Sequence, residues 1–214
     1  MNLVAKLFLA FVIILQGCVM SKDLVLDAVW EKDNYEPLKY RKVIVFGFSE
    51  NMEKNKKFEI NAVKALKNEG VLATPGHEVY DFSQEGRVNP HHLKNYLFSQ
   101  GFDGILTASV IDNISKDNEE ISDQELEKYS EGIYKFDQFY QNRYSEISND
   151  TPSSNKVLEA NFFYIMDQND FDGSGLVWIS HFQIKDELEA NFPVEDYSKR
   201  IVKSLFEDQV IVKK

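Results

Sequence analysis

With 214 residues, 43% of them hydrophobic and 13% aromatic, the chain carries enough apolar material for one ordinary domain with a real core, which excludes global disorder. Its formal net charge of -11 sets it against phosphate backbones and anionic lipid surfaces; Lys54, Lys56, Lys57, Lys64 and Lys67 are interleaved with Glu53, Glu59 and Glu69 as on a solvated helix face, so no nucleic-acid partner is expected. A single cysteine, Cys18, excludes an internal disulfide and leaves packing to stabilise the fold.

The chain opens on Lys6 and an unbroken apolar run, Leu7 to Leu15, that ends at Gln16-Gly17-Cys18. Nine helical residues reach only about 14 Å, well short of a hydrocarbon core, so the run reads as the apolar part of a secretory signal. Leu15-Gln16-Gly17-Cys18 resembles the lipobox of bacterial lipoproteins. The resemblance implies cleavage between Gly17 and Cys18 and diacylglyceryl and acyl chains (palmitate among them) on Cys18. Removing Lys6 and no acidic residue makes the mature chain one unit more acidic, -12. Two or three acyl chains hold a protein to a bilayer where one is marginal. Val19 and Met20 lack the aspartate associated with inner-membrane retention, so the resemblance points to the outer membrane, facing the periplasm.

Residues 18–40 are read as a lipid-anchored tether and 41–214 as the periplasmic domain. Val43-Ile44-Val45-Phe46-Gly47-Phe48 is an apolar strand of the kind covered on both faces. From Met52 to Glu69, Phe58, Ala62, Ala65 and Leu66 recur at helical spacing, and Gly70 stands where a left-handed cap belongs. Val71-Leu72-Ala73 reads as a short strand broken by Pro75-Gly76, and Asn89-Pro90 opens a second helix carrying Leu93, Tyr96 and Leu97 to Gly101. Asp103 to Ile111 is a third strand.

Beyond a polar segment, Val157 to Met166 alternates, with Leu158, Ala160, Phe162 and Tyr164 on one face and Glu159 and Asn161 on the other; Leu176 to Ile184 alternates through Trp178, Ser180 and Phe182. These two runs predict an antiparallel hairpin. Pro193 starts a last helix with Val194, Tyr197, Ile201 and Leu205 on one side. The expected fold is α/β: a single domain whose mixed sheet follows the order β-α-β-α-β, then an antiparallel hairpin and a C-terminal helix.

Lys42 to Phe46, Phe58-Glu59, Gly101 to Leu106 and Leu176-Val177-Trp178, in that order, resemble a group of bacterial lipoproteins of the DUF4136-like kind. A looser likeness in element order runs to the lipoprotein activators of penicillin-binding proteins and the amino-terminal domain of TolB. These resemblances imply an interaction module with no catalytic residues, whose partners are the membrane, through lipid on Cys18, and an envelope protein or glycan.

The sequence offers no catalytic set, metal site or cofactor site. Asp170-Phe171-Asp172-Gly173-Ser174-Gly175 matches the front of a calcium loop, but position twelve is His181 where a bidentate Glu is needed, and alternating flanks favour a turn with Gly173 and Gly175 at positive φ. A calcium-binding structural module therefore stands behind the turn reading, as does a hydrolase with an unrecognised site. His77, His91, His92 and His181 lack the spacing of metal ligands, and Gly47-Phe48-Ser49 lacks the pattern of a phosphate loop. Residues 113–155 form an insertion that is acidic and then aromatic, and Tyr129, Tyr134 and Tyr144 are its expected partner-binding residues, because tyrosine offers a rigid apolar body with a polar tip.

Overall fold

The computed structural model describes residues 26–31, 35–49, 51–80, 90–112, 156–165, 175–184 and 193–213. In chain order the elements are β1 (Leu26–Glu31), β2 (Val43–Phe48), α1 (Met52–Asn68), β3 (Ala73–Pro75), a 3-10 turn (Gly76–Glu78), α2 (Pro90–Ser99), β4 (Gly104–Asp112), β5 (Lys156–Tyr164), β6 (Leu176–Ile184) and α3 (Val194–Glu207). The strands form one mixed six-stranded sheet in the order β1-β6-β5-β4-β2-β3. β2 is parallel to β3 and β4; β5 is antiparallel to β4 and β6, and β1 is antiparallel to β6. This is the expected α/β class, with the hairpin and the C-terminal helix in place.

Both faces of the sheet are covered, which is why β2 is an unbroken apolar run. On one face Phe58, Ala62 and Leu66 of α1 and Tyr197, Ile201 and Leu205 of α3 pack on Val43, Val45, Leu106, Ala160, Trp178 and Phe182. On the other, Leu93 and Leu97 of α2 meet Ile44, Phe46, Ile105, Phe163 and Ile179. The helix starts and stops follow from local chemistry. The Asn51 side chain accepts from the N–H groups of Glu53 and Lys54 to open α1, and Gly70, at φ 85°, closes it. Asp103 fixes the entry to β2 and β4, accepting from the backbone N–H groups of Arg41 and Lys42 at 2.9–3.0 Å and from Arg41 Nε at 3.1 Å.

Three expectations change. The tether expected over 18–40 contributes to the domain: residues 26–31 pair with β6, Leu38 bridges Ile211, and Tyr40 is 2% exposed. Leu24, Leu26, Ala28 and Trp30 alternate with period two, a strand signal that the surrounding charges obscured. The short strand lies at Ala73–Pro75, not at 71–73, because the Val71 N–H is drawn back to the Leu66 carbonyl in closing α1. Pro75 is tolerated because β3 is the sheet's edge. Finally, the polar face of β5, set by alternation against the apolar one, is not wet: Glu159 and Asn161 are 0% and 1% exposed.

Strand directions set the two ends of the sheet. β2, β3, β4 and β6 run one way, and Leu26 pairs with Phe182, Asp112 with Lys156, and Lys156 with Ile184. The start of β1 and both stems of the 113–155 segment therefore share the end at which α1 begins.

Candidate functional site

The cross-strand register places a row of polar residues on the face that α2 covers. Ser109 of β4 is opposite Glu159 of β5, which is opposite His181 of β6; one step along, Thr107 is opposite Asn161. Ser109, Glu159, Thr107 and Asn161 are all buried. The Glu159 carboxylate accepts from Asn161 Nδ2 at 2.9 Å and lies 3.0 Å from His181 Nε2, where the Nε2–H tautomer donates. Among the described residues the Thr107 and Ser109 hydroxyls are buried without a hydrogen-bond partner. A carboxylate inside a sheet is tolerable only when its oxygens are satisfied, and here strand neighbours satisfy them.

The order across the sheet decides what this row can do. A serine nucleophile needs the imidazole between itself and the acid. Here the acid lies between, and Ser109 and His181 are two strands apart, roughly 10 Å at normal strand spacing. The row is a carboxylate–imidazole pair within a packed face, and Ser109 is not placed to be activated by it.

A second buried carboxylate, Glu59 of α1, accepts from the backbone N–H of Gly47 at 3.1 Å and of His77 at 2.9 Å, and pairs with His77 Nδ1. It ties the end of β2 to the 3-10 turn under α1. Gly47 lets α1 approach closely there: a Cβ would lie 3.0 Å from the Asn55 Cα, so the helix would have to shift by a few tenths of an ångström. Gly47 and Phe48, expected in a turn with Ser49, are the last residues of β2, paired with Ala108 and Ser109; beyond them Asn51 takes the first helical N–H groups, and Ser49 is bonded to Asn55.

At the opposite end of the sheet an open recess of about 490 Å³ is lined by Glu31, Tyr35, Pro37, Glu207, Asp208 and Gln209. Burial, and then the charge of Asp208, hold the Glu31 carboxyl above the usual carboxylate range. Asp208 also accepts from Trp178 Nε1 at 2.9 Å. Among the described residues no group of three or more His, Cys, Asp or Glu side chains is arranged to hold a metal ion.

Of the residues singled out in the sequence, His77 and His181 each pair with a buried glutamate and His91 and His92 lie in the first turn of α2. Gly175 takes φ 69°, as the turn reading requires, with the Tyr164 carbonyl oxygen 2.6 Å from where a Cβ would stand. Gly17, Cys18, Tyr129, Tyr134, Tyr144, Asp170, Asp172 and Gly173 lie outside the described residues. Glu59 and Glu159 were missed because period-two and period-3.6 patterns assign polar residues to solvent. The available signal was positional, a glutamate and a histidine each at mid-strand, or a glutamate flanked by two core positions.

No protein-family model matches the chain, and no curated protein matches it. Among solved structures, a PelC dodecamer from Paraburkholderia phytofirmans is 12% identical with a TM-score of 0.41, covering 87% of this chain and 99% of that one. A variant of the same protein is 13% identical at a TM-score of 0.41, covering 86% and 98%. A DUF4136 family protein from Bacteroides thetaiotaomicron is 8% identical at a TM-score of 0.45, covering 89% and 99%. That neighbour carries the family name that the strand cores resemble. At these identities and scores the likeness brings no function to this chain.

Proposed function

We propose that the chain is a lipoprotein held by lipid on Cys18 at the periplasmic face of the outer membrane, and that its α/β domain binds an envelope protein or glycan without chemistry of its own. The observation that carries the non-catalytic part is the order Ser109, Glu159, His181 across the sheet, which keeps the hydroxyl away from the imidazole. The lipobox residues support the anchor. Among the described residues no helix is long and apolar enough to cross a membrane, so none of them competes with Cys18 for that role.

The test has two arms. Cys18→Ser abolishes metabolic labelling with a fatty acid and releases the protein from the membrane fraction; a serine variant that still labels overturns the anchor. Cross-linking in intact envelopes captures a partner with the parent chain and loses it with Tyr134→Ala/Tyr144→Ala; unchanged capture places the binding surface outside the insertion.

A further inference from the structure

We propose that the outer face of α1 is a second membrane contact, in which Lys56, Lys57, Lys64 and Lys67, with Ile60 at their centre, lie on an anionic phospholipid surface. The inference rests on the lipid-anchor reading of Cys18 and adds to it the face by which the domain meets the bilayer.

The sequence shows five lysines interleaved with three glutamates, which reads as a solvated helix face. The fold separates them. Glu59 is 4% exposed and turned in to Gly47 and His77, and Glu69 is paired with Lys213. Lys56, Lys57, Lys64 and Lys67 are exposed, and at 100° per residue they share an arc of about 100° with Ile60 and Glu53. Against one acid in that arc stand four lysines, none of which has an ion pair among the described residues. Glu195 of α3, whose carboxylate feels Lys64 and Lys57, is bound to Lys199 at 2.8 Å. In a chain of net charge -11, this is a local reversal of sign.

Ile60 is 52% exposed in the middle of the stripe, and Met52, at the start of the same helix, is also 52% exposed. An aliphatic side chain ringed by lysines suits the headgroup boundary, where the charges meet phosphates and the apolar group enters the acyl edge. An acidic protein surface would use the lysines but leave Ile60 without a role.

The length of the tether brings the surface within reach. Because β1 begins at Leu26, only seven residues separate the sheet from Cys18, and even fully extended the connection spans no more than about 29 Å. Six strands at normal spacing are about 24 Å across, so a domain held on this leash lies little farther from the bilayer than its own sheet is wide. β1 enters at the end where α1 begins. A lipid chain plus a basic patch is the combination that fixes both residence and orientation.

The experiment uses the full lipidated chain reconstituted in vesicles, with Cys18 acylated and a single new thiol labelled with an environment-sensitive fluorophore. The label is placed by Ile60→Cys or, on the opposite layer, by Tyr96→Cys, and its access to neutral acrylamide is measured. In vesicles with phosphatidylglycerol at low salt, position 60 is shielded and position 96 is open. In phosphatidylcholine vesicles, or at high salt, both are open. Each Lys→Gln change at 56, 57, 64 or 67 lowers the ratio of membrane-held to free face about fivefold. Equal access at the two positions overturns the proposal, as does shielding of position 60 in detergent alone, which assigns the face to a second copy, or shielding insensitive to lipid charge. Lipidation is read separately by the intact mass: an unmodified Cys18 overturns the anchor, whereas a modified Cys18 with position 60 open overturns only the face.

Discussion

Glu59→Ala is the substitution for which the fold and the bare sequence disagree most. On the sequence pattern Glu59 is one acid among surface lysines, and its loss should change stability by no more than about 0.5 kcal/mol. In the structure its carboxylate is the acceptor for two backbone N–H groups, Gly47 at 3.1 Å and His77 at 2.9 Å, and for the His77 ring. Hydrogen bonds to a charged acceptor are worth about 1.5–3 kcal/mol each, and both donors here are only partly buried, so water recovers some of the loss. The expected cost is about 3 kcal/mol. With a urea dependence of about 2 kcal/mol per molar, the unfolding midpoint falls by about 1.5 M at unchanged slope. Glu59→Gln keeps one acceptor oxygen and should cost about half as much, and His77→Ala, which retains the His77 N–H, about 1 kcal/mol. A Glu59→Ala midpoint within about 0.25 M of the parent refutes the inward clasp and, with it, the separation of charge on α1.

Gly76→Ala should destabilise by about 3 kcal/mol in the same urea assay, because the new Cβ would stand 2.1 Å from Cδ1 of the buried Phe46. Gly70→Ala, with open space around it but φ at 85°, should cost only about 1 kcal/mol. Trp178→Ala should cost about 4 kcal/mol, since it empties a fully buried site and strips Asp208 of a donor, whereas Tyr134→Ala/Tyr144→Ala should stay within about 1 kcal/mol by thermal denaturation if those side chains serve recognition. Burial, and then the neighbouring Tyr35, push the Tyr40 phenol far above its ordinary range. A group whose folded value is raised contributes stability that is present below its unfolded value, about 10, and is lost as pH rises past it. Melting temperature should therefore fall steeply above about pH 10, and Tyr40→Phe should flatten that fall; an unchanged alkaline limb in the variant assigns the loss to other groups.

The elements most legible in the sequence are those with a clean period and a chemical stop. α1 ends at Gly70 and α3 begins beside Pro193 because left-handed backbone and a missing N–H leave few alternatives. The β5–β6 hairpin was legible from its alternation, yet the same alternation left the burial of Glu159 and Asn161 unstated. A period says which residues share a face and nothing about whether the other face is wet. β1 escaped notice because an edge strand needs only one ladder, and its charged residues argue against burial. The polar row was invisible for a different reason: Ser109, Glu159 and His181 are brought into line only by register, which depends on pairings across 50 residues between Ser109 and Glu159 and 22 between Glu159 and His181.

The pairing of Leu26 with Phe182 also governs when the protein is able to fold. A chain that emerges amino terminus first presents β1 early, but the described strand it pairs with brings Phe182 to Leu26 more than 150 positions later, after the other described strands have appeared. Contacts of such long range close slowly, because loop-closure entropy is spent before the pairing returns it. The described sheet is therefore complete only after its most distant pairing has closed. Of the described strands, the one that comes first in the chain thus waits longest for its place in the sheet.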